Sequence, residues 1–141
     1  MINYLSLFSG IGAFESAMRN QGIPFEISNY CEIGEAQSKA YSLIHGVSEE
    51  KNLHDITTID EKELGHVDFI TYGFPCQDIS RAGQQKGFTD EDGNKTRSGL
   101  FFDAARIIKA TQQEQWRLEQ WRLEQWRLEQ WRLQQWQGVH D

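Results

Sequence analysis

Ile2-Asn3-Tyr4-Leu5-Ser6-Leu7-Phe8-Ser9-Gly10-Ile11-Gly12 decides how the rest of the sequence is read. Ile2 to Phe8 is a short, mostly apolar run, which reads as a buried strand. Ser9 to Gly12 breaks the pattern, and Ala13 to Asn20 holds good helix formers before Gly22 and Pro24 end the segment. Strand, glycine turn and helix make the first half of a parallel α/β unit. The pattern then repeats. Phe25 to Tyr30 alternates as a second strand, and Gly34 to Ile44 reads as a helix stopped by His45-Gly46. Leu53 to Ile59 contains a brief third strand, and Asp60 can cap a short turn through Leu64. Val67 to Tyr72 is a fourth strand, apolar enough for burial on both faces. The order predicts an α/β fold with parallel strands, right-handed crossovers and ligands beyond the carboxyl ends of the strands.

Beyond the fourth strand the character changes twice. Gly73 to Ser98 is long, polar and carries four glycines, which suits a functional loop. Ser98 can cap a helix from Gly99 through Lys109. From Gln115 to Gln135 the pentapeptide Gln-Trp-Arg-Leu-Glu recurs with few changes, and residues 112–137 hold all five tryptophans of the chain. Five residues advance a helix by roughly 140°, so the tryptophans spiral round the rod and build no single apolar stripe. The heptad of a coiled coil is absent. Helix-favouring residues and Glu119–Arg122 type pairs, with no Gly or Pro between Leu100 and Gln137, predict one long helix with exposed tryptophans. The expected organisation is a globular unit over 1–111, a helical repeat tail over 112–137 and a disordered end over 138–141.

The totals exclude several classes. A net charge of −7 argues against strong DNA binding by this chain alone, although Arg81, Lys86, Lys95 and Arg97 gather in one stretch. Two cysteines, Cys31 and Cys76, make no disulfide framework, and a reduced cytoplasm fits them best. Four scattered histidines and no Cys-x-x-Cys offer no metal site. No basic leader and no long apolar run point to a signal peptide or a membrane span.

Four places could carry chemistry, each with a plainer reading beside it. Cys76 in Phe74-Pro75-Cys76-Gln77 directly follows the fourth strand; a thiolate there would be the best side-chain nucleophile, and Pro75 would fix its direction, or the pair is a turn proline beside an inert cysteine. Phe8 to Gly12 either lets a ligand approach the backbone at a helix start or is a tight turn with nothing bound. Glu32, just past the second strand, either accepts from both hydroxyls of a ribose or is a solvated helix-start carboxylate. Asp55 and Ile56 either meet an adenine amino group and ring face or are a turn Asp and a core Ile.

Taken in order, these stretches resemble one family. Phe8-Ser9-Gly10-Ile11-Gly12-Ala13-Phe14-Glu15 and Gly73-Phe74-Pro75-Cys76-Gln77-Asp78-Ile79-Ser80 are similar to two signature motifs of DNA cytosine-5 methyltransferases. Arg81 to Phe88 resembles the mobile loop after the nucleophile, and Ser98 to Asp103 the next helix start. The resemblance covers about residues 2 to 110 and implies a Rossmann-like, S-adenosylmethionine-dependent fold. It implies methyl transfer to carbon 5 of a cytosine flipped out of double-stranded DNA, through a covalent bond from Cys76 to carbon 6. Carried over position by position, Phe8, Gly10, Gly12, Glu32, Asp55, Ile56 and Leu100 would bind the cofactor, while Pro75, Gln77, Ser80, Arg81, Gln85 and Lys86 would face the base and the DNA. Ile33 departs from the pattern, because relatives often place an aromatic residue there against adenine. Cys31 is expected to be structural.

The resemblance also implies a fifth strand ending in Glu-Asn-Val, whose glutamate would polarise the cytosine ring; these residues contain no such tripeptide. The expectation is therefore a truncated catalytic domain, from a restriction-modification or phage modification system, with little or no turnover on its own and weak or absent DNA binding. Two other readings stay open. One is a non-catalytic interaction protein that uses the tryptophan tail, with self-association through that tail or an exposed strand edge. The other is half of a split methyltransferase.

Overall fold

The computed structural model describes residues 1–75 and 87–140, except for the side chains of residues 114, 118 and 130–140. Its elements are β1 (Ile2–Leu7), α1 (Ala13–Asn20), β2 (Phe25–Cys31), α2 (Glu35–His45), β3 (Phe69–Tyr72) and α3 (Phe101–His140), with short 3-10 turns at Glu49–Lys51, Ile56–Thr58 and Ser98–Leu100. The three strands form one parallel sheet in the order β2-β1-β3, as alternating strands and helices predict. β1 is the central strand, and Tyr4, Leu5 and Leu7 are buried.

Each face of the sheet carries its own core. Leu5, Leu7 and Cys31 pack with Ile56, Ile59 and Val67 and with Ala104 and Ile107 of α3. On the other face Tyr4, Ile27 and Tyr30 pack with Met18 of α1 and Tyr41 of α2. Full burial of an aliphatic side chain such as Leu7 or Ile107 contributes about 1.5–3 kcal/mol. The second face also encloses a carboxylate: Tyr4 and Tyr41 donate to Glu15 Oε1 at 3.1 and 2.8 Å.

One irregularity sets the faces of β2. The pairing runs Ile2↔Phe25 to Tyr4↔Ile27 and resumes at Leu5↔Asn29, so Ser28 is an extra residue. Ile27 and Tyr30 consequently lie in the same core cluster, and Cys31 lies in the opposite one.

Three expectations fail locally. Residues 53–59 form no strand. Leu53 N–H reaches Tyr30 O at 2.8 Å and Asn52 makes a single bridge to Tyr30, but His54 then turns away at φ 55° and Asp55 caps the 3-10 turn at Ile56–Thr58 through Thr57 N–H. The side-chain cap offers the backbone a partner that a strand would have needed. Val67–Tyr72 is not buried on both faces, because β3 pairs only with β1 among the described residues, leaving Phe69 45% and Tyr72 41% exposed. Ser98 does not cap the last helix; it is fully buried and its hydroxyl donates to Pro75 O at 2.8 Å.

The long C-terminal helix is present. α3 spans 40 residues, roughly 60 Å, and passes from core contacts at Ile107 and Thr111 into the repeat without interruption. Trp116, Trp121 and Trp126 are exposed on it. Among the described residues, no helix is long and apolar enough to cross a membrane.

Candidate active site

At the carboxyl end of the sheet lies a hollow of about 300 Å³ lined by Phe8, Cys31, Glu32, Ile33, His54, Asp55, Ile56, Gly73, Pro75 and Leu100. Each strand ends at its rim: Phe8 follows β1, Glu32 follows β2 and Gly73 follows β3. Its size is at the lower end of small-molecule pockets. The structure therefore brings Phe8, Glu32, Asp55, Ile56, Pro75 and Leu100 together around one space. A larger cleft, of about 620 Å³, lies between the 61–67 loop and α3 near Arg117; it touches none of these residues.

Glu32 organises the near wall. Its Oε2 accepts the Gly10 N–H at 2.9 Å and its Oε1 the Gly34 N–H at 2.8 Å. Each carboxylate oxygen keeps a further lone pair, so the group remains an acceptor. Gly10 thus reaches the site through Glu32. Gly12 does not line the hollow: it caps α1 at φ 84°, and a methyl group there would meet the His45 ring 1.9 Å away.

The far wall is held from two sides. Asn52, buried and unflagged by its sequence context, accepts the backbone N–H groups of Glu32 and His54 at 3.0 and 2.9 Å and donates to Glu32 O at 2.9 Å. Arg106 of α3 donates to the carbonyls of Ile59 and Ile56 at 3.0 and 3.2 Å and pairs with Glu61. Asp55 accepts from the N–H and hydroxyl of Thr57 at 2.9 and 2.8 Å, which holds its carboxyl below the usual carboxylate range. Phe8 and His54, the two described non-glycine residues with positive φ, both line the hollow. Such strain costs of order 1–3 kcal/mol per residue and gathers at functional sites.

Cys31 lines the hollow yet is no nucleophile. Burial, reinforced by the charges of Glu32 and Asp55, pushes its thiol up to about 12, and its Sγ lies 3.2 Å from His54 O. Only a thiolate attacks, so Cys31 is inert at neutral pH. Cys76, Gln77, Ser80, Arg81, Gln85 and Lys86 lie outside the described residues. The chain on either side of them converges: Phe74 and Phe88 both pack on Phe101, at ring distances of 5.2 and 5.9 Å.

Comparison with known proteins decides what this end of the sheet belongs to. The model of C-5 cytosine-specific DNA methylases matches residues 2–119. This chain belongs to the C-5 cytosine-specific DNA methylase family. Its similarity to curated methylases is substantial. It is 42% identical over 111 residues to the orphan methyltransferase M.SPRI of Bacillus phage SPR, covering 79% of this chain and 24% of that one. It is 37% identical over 108 residues to the type II methyltransferase M.HhaI of Haemophilus parahaemolyticus, covering 77% of this chain and 30% of that one. Among solved structures, the S. pombe Dnmt2 methyltransferase superposes with a TM-score of 0.58 at 27% identity, over 77% of this chain and 32% of that one. The chain thus spans about a quarter of the length of these curated methylases. Methyltransferases of this family and fold use S-adenosylmethionine in general, and the family acts on DNA.

Proposed function

We propose that residues 1–111 bind S-adenosylmethionine in the hollow and present Cys76 to a cytosine flipped from double-stranded DNA. The observation that carries this reading is the convergence of Phe8, Glu32, Asp55, Ile56, Pro75 and Leu100 on one space. The donor set suits the ligand. Glu32 retains acceptor capacity for two ribose hydroxyls, Asp55 can accept from an amino group, and Ile56 and Ile33 offer an apolar face to a purine. Phe8 and Leu100 would take the methionine end, while Gly10 acts through the N–H that holds Glu32. When bound, the cofactor supplies an electrophilic methyl group.

The residues of the chain do the rest. Cys76 as thiolate adds to carbon 6 of the cytosine, which breaks the ring's aromaticity and turns carbon 5 into a nucleophile. After carbon 5 has gained the methyl group and lost its proton, elimination returns the sulfur to Cys76. Pro75, Gln77 and Ser80 face the extruded base in this reading, and Arg81, Gln85 and Lys86 grip the DNA. Cys76 needs a reduced setting, for which the cytoplasm is proposed.

The tripeptide Glu-Asn-Val, whose glutamate would polarise the base, does not occur in these 141 residues, and turnover by these residues alone is expected to be low. Half of a split methylase, completed by a second polypeptide, is an alternative to this reading. A second reading, an interaction protein, is favoured by the exposed Trp116, Trp121 and Trp126 beyond the core contacts of α3.

Calorimetry with S-adenosylhomocysteine tests the first reading. Binding to the full chain is expected, abolished by Glu32→Ala and unaffected by Cys76→Ser. No heat with the unmodified chain would sink it.

A further inference from the structure

His45 closes α2, is 7% exposed, and has no part in the cofactor reading, yet its ring is committed at every edge. Nε2 lies 3.0 Å from the carbonyl oxygen of Ile11, inside the glycine turn. Nδ1 lies 3.0 Å from Nη1 of Arg19, and Nη2 of the same guanidinium donates to His45's own carbonyl at 3.0 Å. Tyr41 packs against the ring with centroids 4.6 Å apart.

These partners leave one arrangement. A carbonyl can only accept, so the imidazole proton on that side sits on Nε2 and points at Ile11 O. A guanidinium can only donate, so Nδ1 must accept from Arg19. The ring is therefore locked in a single tautomer. Glycine is required at position 12 on two counts: its φ is 84°, and a Cβ would overlap Nε2 of this ring at 1.9 Å.

We infer that His45, fixed in its Nε2-protonated form by Arg19, is the positioning residue that sets the shape of the Ser9–Gly12 turn. Its meaning for cofactor binding rests on the function proposed above, through one link: Gly10 N–H holds Glu32 Oε2 at 2.9 Å, so slack in the turn releases the ribose acceptor. A residue that merely filled space would lower the stability of the whole sheet evenly. A positioning residue loosens the turn first.

The experiment uses the full chain labelled with ¹⁵N. In long-range ¹H–¹⁵N spectra, His45 is expected to carry its proton on Nε2, and Arg19→Met to give a mixture of tautomers. A proton on Nδ1 in the unmodified chain would overturn the inference. In His45→Phe, amide exchange at Gly10 and Gly12 should speed up about tenfold, the factor for one lost hydrogen bond, with Leu5 and Tyr30 unchanged. In His45→Gln, whose amide can donate to Ile11 O and accept from Arg19, the turn should regain protection. Acceleration spread equally over turn and strands would overturn the inference. Should His45→Phe not fold, Arg19→Met takes its place: with the ring no longer fixed, exchange at Gly10 and Gly12 should speed up while Leu5 and Tyr30 stay unchanged. S-adenosylhomocysteine affinity should fall about tenfold in His45→Phe and recover in His45→Gln. Unchanged affinity in both counts against the inference; no binding even by the unmodified chain counts against the cofactor reading alone, and the exchange data still judge the turn.

Discussion

Asn52 closes both backbone groups of Glu32 with one side chain, accepting its N–H at 3.0 Å and donating to its carbonyl at 2.9 Å. The carboxamide extends β2 by a residue that has no strand partner there, and the same Oδ1 also fixes His54. Asn52→Ala leaves several buried polar groups unpaired, at a cost of about 2–3 kcal/mol. Thermal unfolding should shift down by about 10 °C, and S-adenosylhomocysteine affinity should fall with it. An unchanged melting temperature would contradict this role.

The two cysteines should separate cleanly by reactivity. Burial keeps the Cys31 thiol protonated, so iodoacetamide at pH near 8 should spare it in the folded chain. Labelling of the native chain should vanish in Cys76→Ser and persist in Cys31→Ala, as read by mass spectrometry. Rapid native modification of Cys31 would refute the assignment.

Alkali should unfold this protein early. Burial raises Cys31 and Tyr4 to about 12 each and drives Tyr41 higher still, with the Glu15 charge adding to both tyrosines. A group whose folded pKa is raised stabilises fully below its unfolded value and loses that contribution as pH climbs toward the folded value. The unfolded values are about 8.5 for cysteine and about 10 for tyrosine. Melting temperature should therefore fall from pH 8.5 upward and more steeply above 10, and Cys31→Ala should flatten the first part of the fall. A flat profile up to pH 11 would rule out the mechanism.

The repeat should be dispensable for folding, as a separate tail unit implies. Among the described side chains of α3, Ile107 and Thr111 are the last buried ones, and Trp116, Trp121 and Trp126 face solvent. Deleting residues 120–141 should move the melting temperature by no more than about 4 °C, while the helical circular dichroism signal drops. Sedimentation of both forms checks whether the tryptophans drive self-association; loss of the fold on deletion would show that the tail belongs to the core.

Much of this was legible in the sequence, and the exceptions share a cause. β1, α1, β2 and α2 fall within a residue or so of their expected bounds, because hydrophobic period and glycine punctuation are local signals. Residues 53–59 misled because an apolar content typical of a strand was spent on a 3-10 turn whose Asp55 cap is a side-chain choice. Ser98 misled because a helix-start serine can equally well be drawn away by a buried carbonyl, here that of Pro75. Around the hollow, Glu32, Asp55 and Leu100 could be anticipated from their place after strands and turns. Asn52, His45 and Arg106 could not, since each acts on backbone atoms more than 19 residues away in sequence. An isolated Asn, His or Arg carries no periodic mark of such a role.

The extra residue at Ser28 has an evolutionary corollary. β2 can tolerate exchange of many side chains, but an added residue meets a stricter rule than an exchanged one. Adding one more residue between Ile27 and Asn29, with no second bulge to absorb it, would rotate everything downstream by half a turn and send the Tyr30 phenol toward the space of the Cys31 thiol. Excising Ser28, by contrast, would set Leu5↔Asn29 directly after Tyr4↔Ile27 and leave every side chain on its face. Against insertion, counting more than chemistry is what this strand has to inherit.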